Sequence, residues 1–171
     1  MKTRFNSNSQ VLTHFITGAC LAIFVATASA QSKNARLTAT AFLAFEDSNF
    51  QVAISNAQEC IDQYDVQATA FQDNFARTNA VMPPVGTVNT NLAQTINANG
   101  VLNDVASCYF IVGECNRKLA LQDKTKIADA KEAYEKARYF TYGRCWDTNG
   151  FFWSQADAAN ARLKKLPPAS R

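Results

Sequence analysis

The sequence predicts an all-α chain of packed antiparallel helical hairpins. Two stretches, 37–64 and 105–140, each place apolar residues at helical spacing on either side of a short polar break. In the later stretch Ala130, Tyr134 and Ala137 fall at i, i+4 and i+7. One helix stripe is therefore small, large, small, a shape that lets a neighbouring helix close around a single aromatic ring. No strands of consequence are expected anywhere in the chain.

The first thirty residues are set apart from the fold. Lys2 and Arg4 give a positive start, Phe15 to Ala26 is largely apolar, and Ala28-Ser29-Ala30 places small residues before Gln31. This is the layout of a secretory signal peptide cleaved after Ala30, and it predicts export to the periplasm or beyond. The apolar run is shorter than the ~20 residues of a spanning helix, so no stable membrane insertion is expected after cleavage. Residues 31–171 then form a single domain of ordinary size.

Charge and composition narrow the function classes. Removing Lys2 and Arg4, with no acid lost, lowers the net charge from +3 to +1. A near-neutral chain of interspersed signs offers no electrostatic case for nucleic acid. The only histidine, His14, lies in the signal segment. After cleavage no Ser-His-Asp or Cys-His mechanism is available, nor any imidazole ligand for a metal. No cofactor is expected.

Along the chain, Leu37 to Asp47 reads as a helix and Asp47-Ser48-Asn49 as a turn. Phe50 to Tyr64 is its partner, and Val66 to about Ala80 a third helix that ends before Met82-Pro83-Pro84-Val85-Gly86. Asn89 to Ala98 is a short polar helix, Asn99-Gly100 suits a left-handed helix end, and Asn103 is placed to cap the long helix from Val105. After the break Gln122 to Lys126, a second helix runs to Phe140. Asp147-Thr148-Asn149-Gly150 is a turn. Its Asp-x-Asn-Gly start is not a calcium loop, because the glycine arrives too early and no glutamate closes it. Ser154, with Asp157 three residues on, opens a last helix that stops at Pro167-Pro168. Glu132 and Glu135 alternate with Lys131, Lys136 and Arg138, the pattern of a solvated helix face.

Four cysteines remain after cleavage: Cys60, Cys108, Cys115 and Cys145. In an exported chain an even number favours disulfides. Cys108 and Cys115 lie seven residues apart on one helix, about 10 Å at the helical rise and beyond bridging distance. Two connectivities survive: 60–108 with 115–145, or 60–115 with 108–145. The competing expectations are four buried thiols, or a four-thiolate zinc site, which lacks any C-x-x-C pair.

Laid over each other, the two hairpins match. Ala41, then Ala53, Ala57 and Cys60, correspond to Gly113, then Ala130, Tyr134 and Ala137, with five extra residues in the second turn. That order resembles the tetratricopeptide repeat, carried by EDSNFQVAISNAQECI and DAKEAYEKA over about half of residues 31–171. The terminal GRCWDTNGFFWSQADAANARL resembles the tail of small exported bacterial proteins of that family with no assigned function. The resemblance implies a short α-solenoid with hairpins at 37–64 and 105–140, an insert at 66–103, and an aromatic tail with a capping helix at 141–166. It implies a non-catalytic module that binds a protein or peptide and acts as scaffold or adaptor in the cell envelope.

Carried over by position, the binding groove would present Thr38, Phe42 and Phe45 from the first copy with Phe110, Glu114 and Arg117 from the second. The competing expectation is core packing for the phenylalanines and an ion pair with Arg117 or Lys118 for Glu114. Two repeats fall short of the usual minimum of about three. The remaining helices are expected to complete the stack, the six aromatics from Phe140 to Trp153 to seal its end, and self-association is a third possibility. The same aromatics suggest an alternative function, an envelope glycan binder or a histidine-free carboxylate glycoside hydrolase.

Overall fold

The computed structural model describes residues 31–147 and 150–168; the expected signal peptide, 1–30, lies outside them. The first helix, α1 (Lys33–Glu46), ends in the expected turn. Ser48 takes φ of +60°, and the Asn49 N–H donates to the Ala44 carbonyl at 2.8 Å, closing the helix by a Schellman bond.

The next helix, α2, runs unbroken from Phe50 to Arg77, 28 residues and so ~42 Å long. The separate helices expected at 50–64 and from Val66 are one. Tyr64-Asp65-Val66 holds no glycine or proline to break the backbone ladder. The buried stripe of Ala53, Ala57, Cys60 and Ile61 simply continues into Ala68 and Gln72.

Short α3 (Thr90–Asn97) is capped by Asn89, whose Oδ1 accepts from Leu92 N–H at 3.0 Å. The Asn99-Gly100 pair, expected to end a helix in the left-handed region, instead opens α4 (Gly100–Leu119), with Asn99 at φ −83°. Asn103 is correspondingly not a cap. It is buried inside α4, where its Nδ2 donates to Ile96 O at 2.8 Å and its Oδ1 accepts from Arg144 N–H at 2.8 Å. Sequence alone assigned its side chain to the nearest helix end, whereas it serves two distant backbone groups.

Helix α4 is the centre of the fold and packs against all five other helices. Its buried residues, from Leu102 to Asn116, cover most of its circumference, the pattern of an interior helix. Antiparallel to it runs α5 (Lys126–Tyr139), then α6 (Gln155–Leu163). As expected, Ser154 Oγ caps α6 by accepting from Asp157 N–H at 3.1 Å. Two apolar clusters result. One joins α1, α2 and α4 with Phe140 and Tyr142; the other joins Ala130, Tyr134 and Ala137 of α5 to Ala159 of α6.

Strands do occur, contrary to expectation. β1 (Gly86–Thr87), β2 (Cys145–Trp146) and β3 (Phe151–Trp153) form an antiparallel sheet in the order β1-β3-β2, with Gly86 opposite Phe152 and Cys145 opposite Trp153. Strands of two or three residues are too short to show periodicity, so long-range ties define them. The buried Arg144 supplies several: its guanidinium donates to the carbonyls of Pro83, Thr141 and Gly143. This draws the 81–84 loop onto the 141–144 turn. Gln72 adds a clamp from α2, donating to Thr141 Oγ1 at 2.9 Å and accepting from Tyr142 N–H at 3.1 Å.

The six tail aromatics do not form a single seal. Phe140 stacks on Tyr109 and Tyr142 tilts onto Phe75 within the main core. Trp153 meets Phe110 edge-on, Phe152 is buried, and Trp146 and Phe151 stand exposed.

Candidate functional site

The six residues expected to face a groove do not line one cavity. Thr38 is buried, its Oγ1 donating to Asn34 O at 3.0 Å. Phe42 and Phe45 are half-buried against the main core. Phe110 lies between Tyr134 and Trp153, with ring centroids 5.9 and 5.4 Å away. Glu114 is also buried. Its Oε1 accepts from Tyr134 Oη at 2.6 Å and Arg162 Nε at 2.5 Å, and its Oε2 from Arg117 Nη2 at 2.6 Å. Burial pushes this carboxyl upward, but the bonds from Arg117, Tyr134 and Arg162 outweigh it and hold the group below its ordinary value of 4.5. The Arg117 pairing is local and legible in the sequence. The Tyr134 and Arg162 contacts, 20 and 48 residues away, are not.

All four cysteines are free thiols, and the geometry fits neither expected connectivity in full. Thr38 Oγ1 lies 3.7 Å from Cys60 Sγ and 3.2 Å from Cys108 Sγ, so these two thiols are neighbours. The bond with Cys108 lowers the Cys60 thiol and raises its partner. Cys145 instead sits beside Ser107, and Cys115 is eight residues further along α4, about 12 Å at the helical rise. A 115–145 bridge is therefore out of reach, as is 60–115. Cys108 faces α1 and α2 while Ser107 faces Gln155, which separates Cys108 from Cys145 around the helix.

Beside the thiol pair lies Asp104, accepting from Asn34 Nδ2 at 2.6 Å. Burial raises its carboxyl from 3.8 to about 6, against the weaker lowering effect of the Asn34 bond. The groups around it are the thiols of Cys60, Cys108 and Cys145, and among the described residues no cation acts on it. A raised carboxyl holds in the fold a proton that the unfolded chain has released. Its contribution to stability is full below pH 3.8 and lost as pH rises through about 6. Asp104→Asn is expected to be more stable than the parent at pH 7, on the order of 2 kcal/mol, with the difference gone at acid pH. Urea unfolding across that pH range measures it, and a variant less stable than the parent at pH 7 refutes it.

A groove of about 430 Å³ lies between α2 and α5, floored by α4. Ile54, Ile61 and Val112 make it apolar at depth, with Tyr109 and Asn116 beside them. Tyr109 is anchored by its hydroxyl, which donates to Asp65 Oδ1 at 3.0 Å. Gln51 and Gln58 edge it on α2; Lys126, Asp129, Glu132 and Lys136 edge it on α5. The groove thus lies on the second helix of each hairpin, where the resemblance pointed to the first. Gln51, Ile54 and Gln58, at i, i+3 and i+7, were the signal available for it. Its two carboxylates are exposed and flanked by lysines, with Asp129 accepting from Lys126 Nζ at 2.8 Å.

Among the described residues no group of three or more His, Cys, Asp or Glu is placed to hold a metal ion, and no helix is long and apolar enough to cross a membrane. Fold and cavity together define a predominantly helical module with a groove between α2 and α5. No protein-family model, curated protein or solved structure matches the chain.

Proposed function

We propose that this chain is an exported, non-catalytic module of tetratricopeptide-like hairpins, acting as scaffold or adaptor, that docks a peptide or a helical segment of a partner protein in the α2/α4/α5 groove. What supports the repeat reading is the burial of its matching positions. Ala41, Ala53, Ala57 and Cys60 in the first hairpin, and Ala130, Tyr134 and Ala137 in the second, are all 0% exposed. What supports docking is the groove, an apolar floor between polar walls whose two lysines and two carboxylates cancel in charge. Such a trough suits an amphipathic segment presenting apolar side chains at i, i+3 or i+4, and i+7. The export part rests on the composition of residues 1–30.

Peptides selected by display on the parent protein are expected to carry that apolar spacing. They should bind Gln58→Arg with Val112→Phe, which crowds one wall and the floor, about tenfold more weakly than the parent. Selected peptides that bind parent and variant alike would place recognition elsewhere.

A further inference from the structure

A second cavity, of about 260 Å³, opens between the end of α4, the 120–127 turn and the end of α6. Ala120, Leu121, Ile127 and Leu166 give it an apolar interior, and its charged lining consists of four cations, Arg117, Lys124, Arg162 and Lys165. Glu114, buried behind them, engages Nε and Nη2 of Arg117 and Nε of Arg162. That fixes both guanidinium groups, Arg117 with a further interaction with Tyr134, while both Nη of Arg162 have no hydrogen-bond partner among the described residues. Among the described residues Lys124 and Lys165 form no ion pair either. The acid nearest in sequence, Asp123, is turned to Thr125, accepting from its N–H at 3.0 Å and its hydroxyl at 2.7 Å. Among the described residues, four cations thus converge on an apolar hollow with one carboxylate, Glu114, paired to them.

We propose that this cavity binds a small amphiphilic anion, a carboxylate seated among Arg117, Lys124, Arg162 and Lys165 with a short acyl tail against Ala120, Leu121, Ile127 and Leu166. The charge selects the head: a neutral occupant would cover the cations and leave them uncompensated, whereas pre-oriented guanidinium groups pair with a carboxylate at little ordering cost. The apolar interior selects the tail, since a bare anion leaves that surface wet. The volume, just below the ~300 Å³ lower end of small-molecule sites, selects a compact ligand. This proposal is independent of the groove.

Isothermal titration of the full chain with octanoate, octanol and acetate tests it. Octanoate is expected to saturate at one equivalent, with octanol and acetate each weaker by about tenfold or more. Lys124→Gln with Lys165→Gln, neither of which touches Glu114, should weaken octanoate about tenfold while leaving octanol binding and the thermal midpoint unchanged. The proposal is overturned by no saturable binding, by octanol equal to octanoate, by acetate equal to octanoate, or by undiminished octanoate binding to the double variant. A peptide with a C-terminal leucine carboxylate binding more tightly than octanoate overturns it too, in favour of a chain terminus.

Discussion

Glu114→Ala is expected to cost about 3 kcal/mol of folding stability. The carboxylate joins three elements at once: Arg117 on its own helix, the fully buried Tyr134 on α5, and Arg162 on α6. Removing it strands the Tyr134 hydroxyl and leaves two guanidinium groups without their counter-ion. Breaking a buried ion pair costs about 3–5 kcal/mol, and the lower end applies because the Arg117 and Arg162 side chains, 32% and 41% exposed, turn partly to water. In a domain of this size the thermal midpoint should fall by roughly 10 °C, and the amides of α6 should exchange faster than those of α1. Glu114→Gln keeps the shape and should cost about half as much. The depressed carboxyl also sets a pH signature. Its stabilisation is full above pH 4.5 and lost as pH falls through the lower folded value, a loss absent from Glu114→Gln. A Glu114→Ala midpoint within one or two degrees of the parent would show that the cluster does not hold α6 in place.

Gly113→Ala should destabilise by about 2 kcal/mol, although alanine is the better helix former. A Cβ at this position meets Tyr134 Cδ1 and Cε1 at 2.6 Å, closer than carbon atoms approach without displacement. The propensity gain is about 1 kcal/mol. The overpacking cost is about 1–3 kcal/mol where neighbours can adjust, and here the ring has little freedom. Tyr134 is 0% exposed, lies against Phe110 and is tied to Glu114 through its hydroxyl. Crowding therefore wins. Combining Gly113→Ala with Tyr134→Leu, which takes away the ring, should give a double variant more stable than the two single losses predict, by about 1 kcal/mol of coupling. Strict additivity in urea unfolding would mean that the glycine is not there to admit the ring.

Both residues show how far the sequence could be read. The spacing of Ala130, Tyr134 and Ala137 announces a close helix contact around one ring, and the hairpin match singles out Gly113, aligned with Ala41, as the small residue of the preceding helix. The ring does sit against that glycine. The same kind of reasoning failed at Asn103 and Asn99-Gly100, where cap-forming residues were assigned to nearby helix ends. It failed again at Tyr64-Asp65-Val66, where a boundary was placed in a helix that nothing interrupts. The groove was expected on the faces holding Thr38 and Glu114. Thr38 and Glu114 themselves are covered, because α1 presses Thr38 onto Cys60 and Cys108 and α6 reaches back over Glu114 through Arg162, while Arg117 at the end of α4 lines the smaller cavity.

What the amino-acid order determined by itself is the set of helical hairpins, the turn at Ser48, the break before α5 and the cap at Ser154. Each depends on residues within one or two turns of one another, so local spacing and backbone preference suffice. Tertiary structure alone decided which helix faces stay open, that Cys60 meets Cys108 while Cys145 does not meet Cys115, and that Glu114 and Arg144 each gather partners from several elements. Those outcomes depend on how helices distant in sequence cross, and a helical face looks the same in sequence whether a neighbour covers it or water does.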